Sequence, residues 1–104
     1  NSQPMIKHIV FWSFKDHTAT GSKADNLSQA VALLDRCANL VAGIEQFEVA
    51  LGSDNAACTS DLVLNSAFIS QDALDAYQQH PDHGPVKVFM KQAVASRHCM
   101  DYTF

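Results

Sequence analysis

Apolar positions along this chain recur at two periods, and the switching between those periods lays out the fold. Residues 6–14 (IKHIVFWSF) are β-branched and aromatic, and the run is too short for a stable isolated helix, so it reads as a strand. A period of two places His8, Val10, Trp12 and Phe14 on one face and Ile9 and Phe11 on the other. Both faces are largely apolar, which predicts cover on both sides. Ser22 is a candidate N-cap for a helix reaching about Val41. Ala24, Leu27, Val31, Leu34, Ala38 and Val41 form its stripe at steps of three and four, widened by Ala30, Leu33, Cys37 and Leu40. Gly43 is the expected stop.

Residues 44–51 (IEQFEVAL) return to alternation, with Phe47, Val49 and Leu51 against polar partners. A small, polar connection over 52–60 leads to a third strand at 61–68 (DLVLNSAF). Ser70 can cap a short helix over 71–79, with Leu74 and Tyr77 on one side. Pro81 has no backbone N–H and disfavours the α region at His80, so that helix must stop there. Gly84-Pro85 restarts a helix, with Val86, Phe89, Met90, Ala93 and Val94 as its stripe. Residues 97–104 (RHCMDYTF) read as a last strand.

The order is βαββαβ with the second helix broken, which predicts an α+β, ferredoxin-like fold with a four-stranded antiparallel sheet. Helices then cover one face, while Ile9, Phe11, Met100 and Tyr102 lie bare on the other. A second copy is the simplest cover, so the pattern predicts a homodimer joined through the sheet face.

Composition narrows the function. The chain has 104 residues, enough for one domain. Residues 1–4 read as an appended remnant, with Met5 as the natural start of a single domain over 5–104. Seven Lys and Arg against eleven Asp and Glu give a net charge of −4. With no basic run, nucleic acid and anionic membranes are poor partners. No apolar run is long enough to span a bilayer. Cys37, Cys58 and Cys99 are an odd set without metal spacing, which suits a reducing cytoplasm. A Gly-rich phosphate loop, a nucleophile elbow and a Cys-x-x-Cys pair are all missing, so no cofactor is implied. His80 and His83 straddle a proline with no third ligand in view, and no metal site is expected.

Several stretches together resemble the stress-responsive A/B barrel (Dabb) family. They include Ile6-Lys7-His8-Ile9-Val10, Gly43-Ile44 before Phe47-Glu48-Val49, and Asp61-Leu62-Val63-Leu64 with Phe68. The most specific is Ala73-Leu74-x-x-Tyr77-x-x-His80-Pro81-x-His83, followed by Ser96-Arg97 and Asp101-Tyr102. Ala50 departs from the glycine common there. The resemblance implies a dimeric α+β barrel. One plant member closes a linear polyketide by aldol condensation without a cofactor. Its catalytic His and Tyr match His83 and Tyr77, its first-strand His matches His8, and a third-strand cavity His falls on Leu62.

Two readings therefore stand. In one, the chain is a homodimeric stress-associated protein that binds a small apolar or aromatic ligand. In the other it is a cofactor-independent cyclase or lyase on a small carbonyl or polyketide-like substrate. There His83 would be the base, Tyr77 the hydrogen-bond donor and His8 an orienting group. Cofactor-free oxygenation is a variant resting on fold analogy alone. Against chemistry, Tyr77, His80 and His83 could simply tie the broken helix to the sheet. Val10, Trp12, Phe47, Leu62, Leu64 and Phe89 are candidates to line a ligand pocket, with Arg97 either pairing with Asp101 or meeting an anion. A solvent-reached cavity bordered by His83 and Tyr77 favours the second reading; a solid core favours tethering.

Overall fold

The computed structural model describes residues 4–54 and 57–104. Most of the expected remnant at 1–4 and the centre of the 52–60 connection lie outside the described residues. In chain order the elements are β1 (Ile6–Phe14), β2 (His17–Thr18), β3 (Gly21–Ser22), α1 (Lys23–Asp35), β4 (Ile44–Leu51), β5 (Leu62–Phe68), α2 (Gln71–Gln79), a 3-10 turn (Pro81–His83), α3 (Gly84–Ala93) and β6 (Val94–Thr103). The main sheet has the order β4-β5-β1-β6, with every pairing antiparallel. That is the ferredoxin-like arrangement. The thinnest extent is 17 Å, the depth of one helix layer on one sheet.

β1 is central because it can bury one face completely. His8, Val10, Trp12 and Phe14 are all buried beneath the helices. The register places Ser66 and Asp101 on either side of His8, Leu64 and Cys99 beside Val10, and Leu62 and Arg97 beside Trp12. Directly opposed residues share a face, so chemistry on β1 and β6 is brought together under the helices. On the other face Phe11, Met100 and Tyr102 remain 45%, 64% and 42% exposed, and Ile9 is half-buried. Among the described residues of one chain nothing covers them.

α1 begins where its cap predicts. Ser22 Oγ accepts from the Asp25 backbone N–H, and the Asp25 carboxylate accepts from the Ser22 N–H, a reciprocal capping box. The Ser22 contacts hold the Asp25 carboxyl below its ordinary range. The helix is shorter than its stripe suggests. After Asp35 the backbone bonds tighten to three-residue steps, from Cys37 N–H to Leu34 O and from Leu40 N–H to Cys37 O. Cys37, Leu40 and Val41 still reach the core from these turns, so the apolar periodicity outlasts the α-helix. Gly43 then takes φ +97°, where an added Cβ would meet Ile69 at 2.8 Å.

The buried face of α1 is Asn26, Ala30 and Leu34, and Ala24 is exposed. Asn26 looks like a surface residue in the sequence. Instead its side chain donates to Thr18 Oγ1 at 2.9 Å and accepts from Thr20 Oγ1 at 2.7 Å. These bonds hold the small β2–β3 hairpin, which the hydrophobic pattern did not reveal.

α2 is capped by Ser70 and buries Ala73, Leu74 and Tyr77. His80 adopts φ −62°, ψ 135°, the extended conformation Pro81 imposes, and its Nδ1 accepts from the Asp82 N–H at 3.0 Å. α3 buries Val86, Met90 and Ala93, and β6 starts three residues earlier than expected, at Val94. Val94 leaves the helix because the ladder claims it: it pairs with Phe14, just past an irregularity in the register.

Candidate functional site

Between the sheet and the helices lies a cavity of about 580 Å³. Its apolar wall is Val10 and Trp12 from β1, Leu64 from β5, Leu34 from α1, and Val86 and Met90 from α3. His8, Tyr77 and His83 are its polar groups. Val94, Gln78, Lys87, Lys91 and Arg97 complete the lining, and the three cationic side chains are exposed, which marks the mouth.

His8 is 3% exposed, and its Nδ1 lies 2.6 Å from Asp101 Oδ1. A carboxylate only accepts, so Nδ1–H donates and Nε2 is left for a ligand. Cys99 Sγ sits 3.8 Å from His8 Nδ1 and 3.7 Å from Asp101 Oδ1. Burial and the Asp101 charge push the Cys99 thiol up, so this is a thiol rather than a thiolate. His8, Cys99 and Asp101 offer three donor atoms within 4.8 Å of one another, a set that could share a cation.

Tyr77 is 1% exposed, and its hydroxyl has no hydrogen-bond partner among the described residues. Its ring is tilted over the His83 imidazole at 4.7 Å between centroids and packs on Phe68 at 5.3 Å. Burial first, and then the Cys37 thiol, push its ionisation far above the ordinary phenol range. It is therefore an O–H donor throughout the working pH range. His83 is pulled down to about 4, mainly by burial and then by Lys87, His8 and His80. Its Nδ1 lies 4.0 Å from Cys37 Sγ. Burial and the Asp82 charge raise the Cys37 thiol, so that contact joins two neutral groups.

The family model of the stress responsive A/B barrel domain (Dabb) matches residues 6–104. The chain belongs to that family. No curated protein matches it. Among solved structures, a dimeric protein of unknown function and ferredoxin-like fold from Bacteroides fragilis is 27% identical, with 100% of each chain covered and a TM-score of 0.84. A dimeric ferredoxin-like protein from Thermobifida fusca is 20% identical over 100% of this chain and 95% of its own, with a TM-score of 0.85. A hydroxynitrile lyase from Passiflora edulis shares the fold at 16% identity, covering 96% of this chain and 93% of its own, with a TM-score of 0.75.

In this Dabb domain the cavity gathers His8, Tyr77 and His83 with Val10, Trp12, Leu64 and Arg97. Three other lining candidates lie elsewhere. Phe47 is outside the lining and meets the Tyr77 ring edge-on, at 5.9 Å between centroids. Leu62, the first residue of β5, is not part of the lining and borders a separate groove with Leu51, Cys58 and Val63. Phe89 is absent from the lining: it packs, partly buried, against the core, while Met90 takes the buried position on α3 that faces the cavity. Arg97 forms no ion pair with Asp101, whose carboxylate is held by His8. Asp101 and Cys99 went unsuspected as neighbours of His8. Alternation along β6, combined with antiparallel register against β1, could have placed Asp101 there.

The His83 environment carries a pH signature. Its imidazole takes a proton near 6.5 when unfolded and near 4 in the fold, so between those values the unfolded chain binds more protons. Stability is therefore lost as the pH falls through that window. Urea midpoints measured across it are expected to vary less for His83→Gln than for the parent; identical slopes would show that His83 titrates normally.

Proposed function

We propose that this Dabb domain is a homodimer whose cavity binds a small ligand with an aromatic or otherwise apolar body. The observation that carries this reading is the Tyr77 hydroxyl, buried in the cavity wall without a partner among the described residues. A desolvated donor left unmade is costly, and a ligand oxygen supplies the missing acceptor. Support for the dimer comes from the bare apolar face and from Asn65 Oδ1 on the same face, a buried acceptor without a partner among the described residues. The dimeric neighbours agree with it. Three unbridged cysteines, two of them exposed, suit a reducing cytoplasm.

A second reading is favoured by the grouping of two imidazoles with that phenol. Here a cofactor-independent cyclase or lyase removes a proton from the carbon beside a substrate carbonyl. Neutral His83, or Nε2 of His8, takes the proton, and Tyr77 O–H donates to the enolate oxygen that forms. The Asp101 carboxylate behind His8 orients its ring and stabilises the imidazolium.

Trp12 is the sole tryptophan and lines the cavity, so its emission reports occupancy. Titration with 4-phenylbutan-2-one is expected to give a saturable change, weakened roughly tenfold in Tyr77→Phe by loss of one hydrogen bond. No change at millimolar ketone or at millimolar 3-phenylpropanoate would sink the binding reading. For the enzyme reading, exchange of the ketone's α-protons in D2O is expected to exceed the buffer rate and to fall in His83→Gln or His8→Gln. Exchange at the buffer rate leaves a binding protein only.

A further inference from the structure

We infer that the natural ligand is an organic anion, a carboxylate carried on an aromatic or alkyl body, with its charge held at the cavity mouth by Lys91, Arg97 and Lys87. This rests on the cavity being a ligand site.

The charge distribution is lopsided where it matters. The chain carries eleven acidic and seven basic side chains, yet three of those seven line this cavity and no carboxylate does. Lys87 and Lys91 stand four residues apart on α3, close enough to repel and destabilise the helix slightly. α3 contains no acidic residue to offset them. Arg97 follows on β6, which leaves α3 directly at Val94, so one continuous stretch of chain supplies all three cations.

Among the described residues none of the three forms an ion pair. Lys87 Nζ donates to the Gln78 carbonyl at 2.6 Å. The acidic group best placed for Arg97, Asp101, is already bound to His8. The Lys87 charge also reaches inward, as the second cause, after burial, of the lowered His83 ionisation. A field that disfavours a proton on His83 favours an anion at the same mouth. Behind the cations the wall is Val, Leu, Met and Trp, which offers little to a bare inorganic anion and much to an apolar body.

The test compares two probes of nearly equal shape, 3-phenylpropanoate and 4-phenylbutan-2-one, by Trp12 emission and calorimetry. The acid is expected to bind about tenfold tighter, as a charge-assisted bond implies. The margin should shrink in roughly 1 M salt, where the screening length is about 3 Å. In the double variant Lys91→Gln, Arg97→Gln, both changes at exposed positions, the acid's margin over the ketone should shrink severalfold, with the remainder carried by Lys87. Equal binding of acid and ketone by the parent overturns the charge assignment but leaves the cavity reading intact. A preference that survives undiminished in the double variant overturns the choice of residues. Failure of both probes to bind takes down the cavity reading, and this inference with it.

Discussion

Phe11→Glu is expected to convert the proposed homodimer to monomers, raising its dissociation constant more than about a thousandfold. Phe11 sits beside Ile9 on β1, and the register brings Met100 and Tyr102 onto the same face from β6. All four keep substantial exposure in one chain, so a second copy removes that surface from water. A two-fold interface doubles the damage, because each copy carries the new carboxylate. Several kcal/mol per desolvated ion is ample for the change expected. Sedimentation velocity at low micromolar concentration reads it directly. Persistence of the dimer in Phe11→Glu, or a monomeric parent, would refute the sheet face as the interface.

The second large effect separates a packing role for Tyr77 from a polar one. Tyr77→Ala is expected to cost about 3–5 kcal/mol in urea unfolding, as large aromatic truncations in cores do. The ring fills space between Phe47, Phe68 and His83, so its removal leaves a hole in the helix–sheet interface. Tyr77→Phe keeps that packing and deletes only an unpartnered hydroxyl, so stability should stay the same or rise. A loss above about 1.5 kcal/mol in Tyr77→Phe would mean the hydroxyl is bonded after all, and the tethering account would stand.

The places where sequence reading succeeded share a cause. The extents of β1, β4 and α2 are set by local chemistry: alternation along β1 and β4, and for α2 the Ser70 cap and Pro81. Ser22 and Gly43 act locally as well, one through its side-chain bond to the next turn and the other through a backbone conformation that L-residues resist. Misplacements arose where two local preferences were balanced. Residues 36–41 satisfy the helical period while bonding as tighter turns, and Val94 fits a helical stripe and a strand equally well. Tertiary contacts broke both ties.

The candidate site divides in the same way. Tyr77, His80 and His83 stand out in the sequence because a proline forces a break among them, and His8 because it lies on an otherwise apolar strand face. Their sequence neighbours say nothing of the rest. Asp101 is ninety-three residues from His8, and only strand pairing brings the two within 2.6 Å. Asn26 is buried because a hairpin folds over it, and Phe89 is excluded because Met90 takes the inward position. By itself, then, the sequence determined the order of elements, their caps and breaks, the uncovered apolar face and the imidazole–phenol group, since each depends on contacts within a few residues or on strict periodicity. Whether a cavity forms, which side chains border it and which charges meet at its mouth were decided only by the tertiary structure. Those properties depend on register and packing between segments far apart in the chain, where no local preference acts.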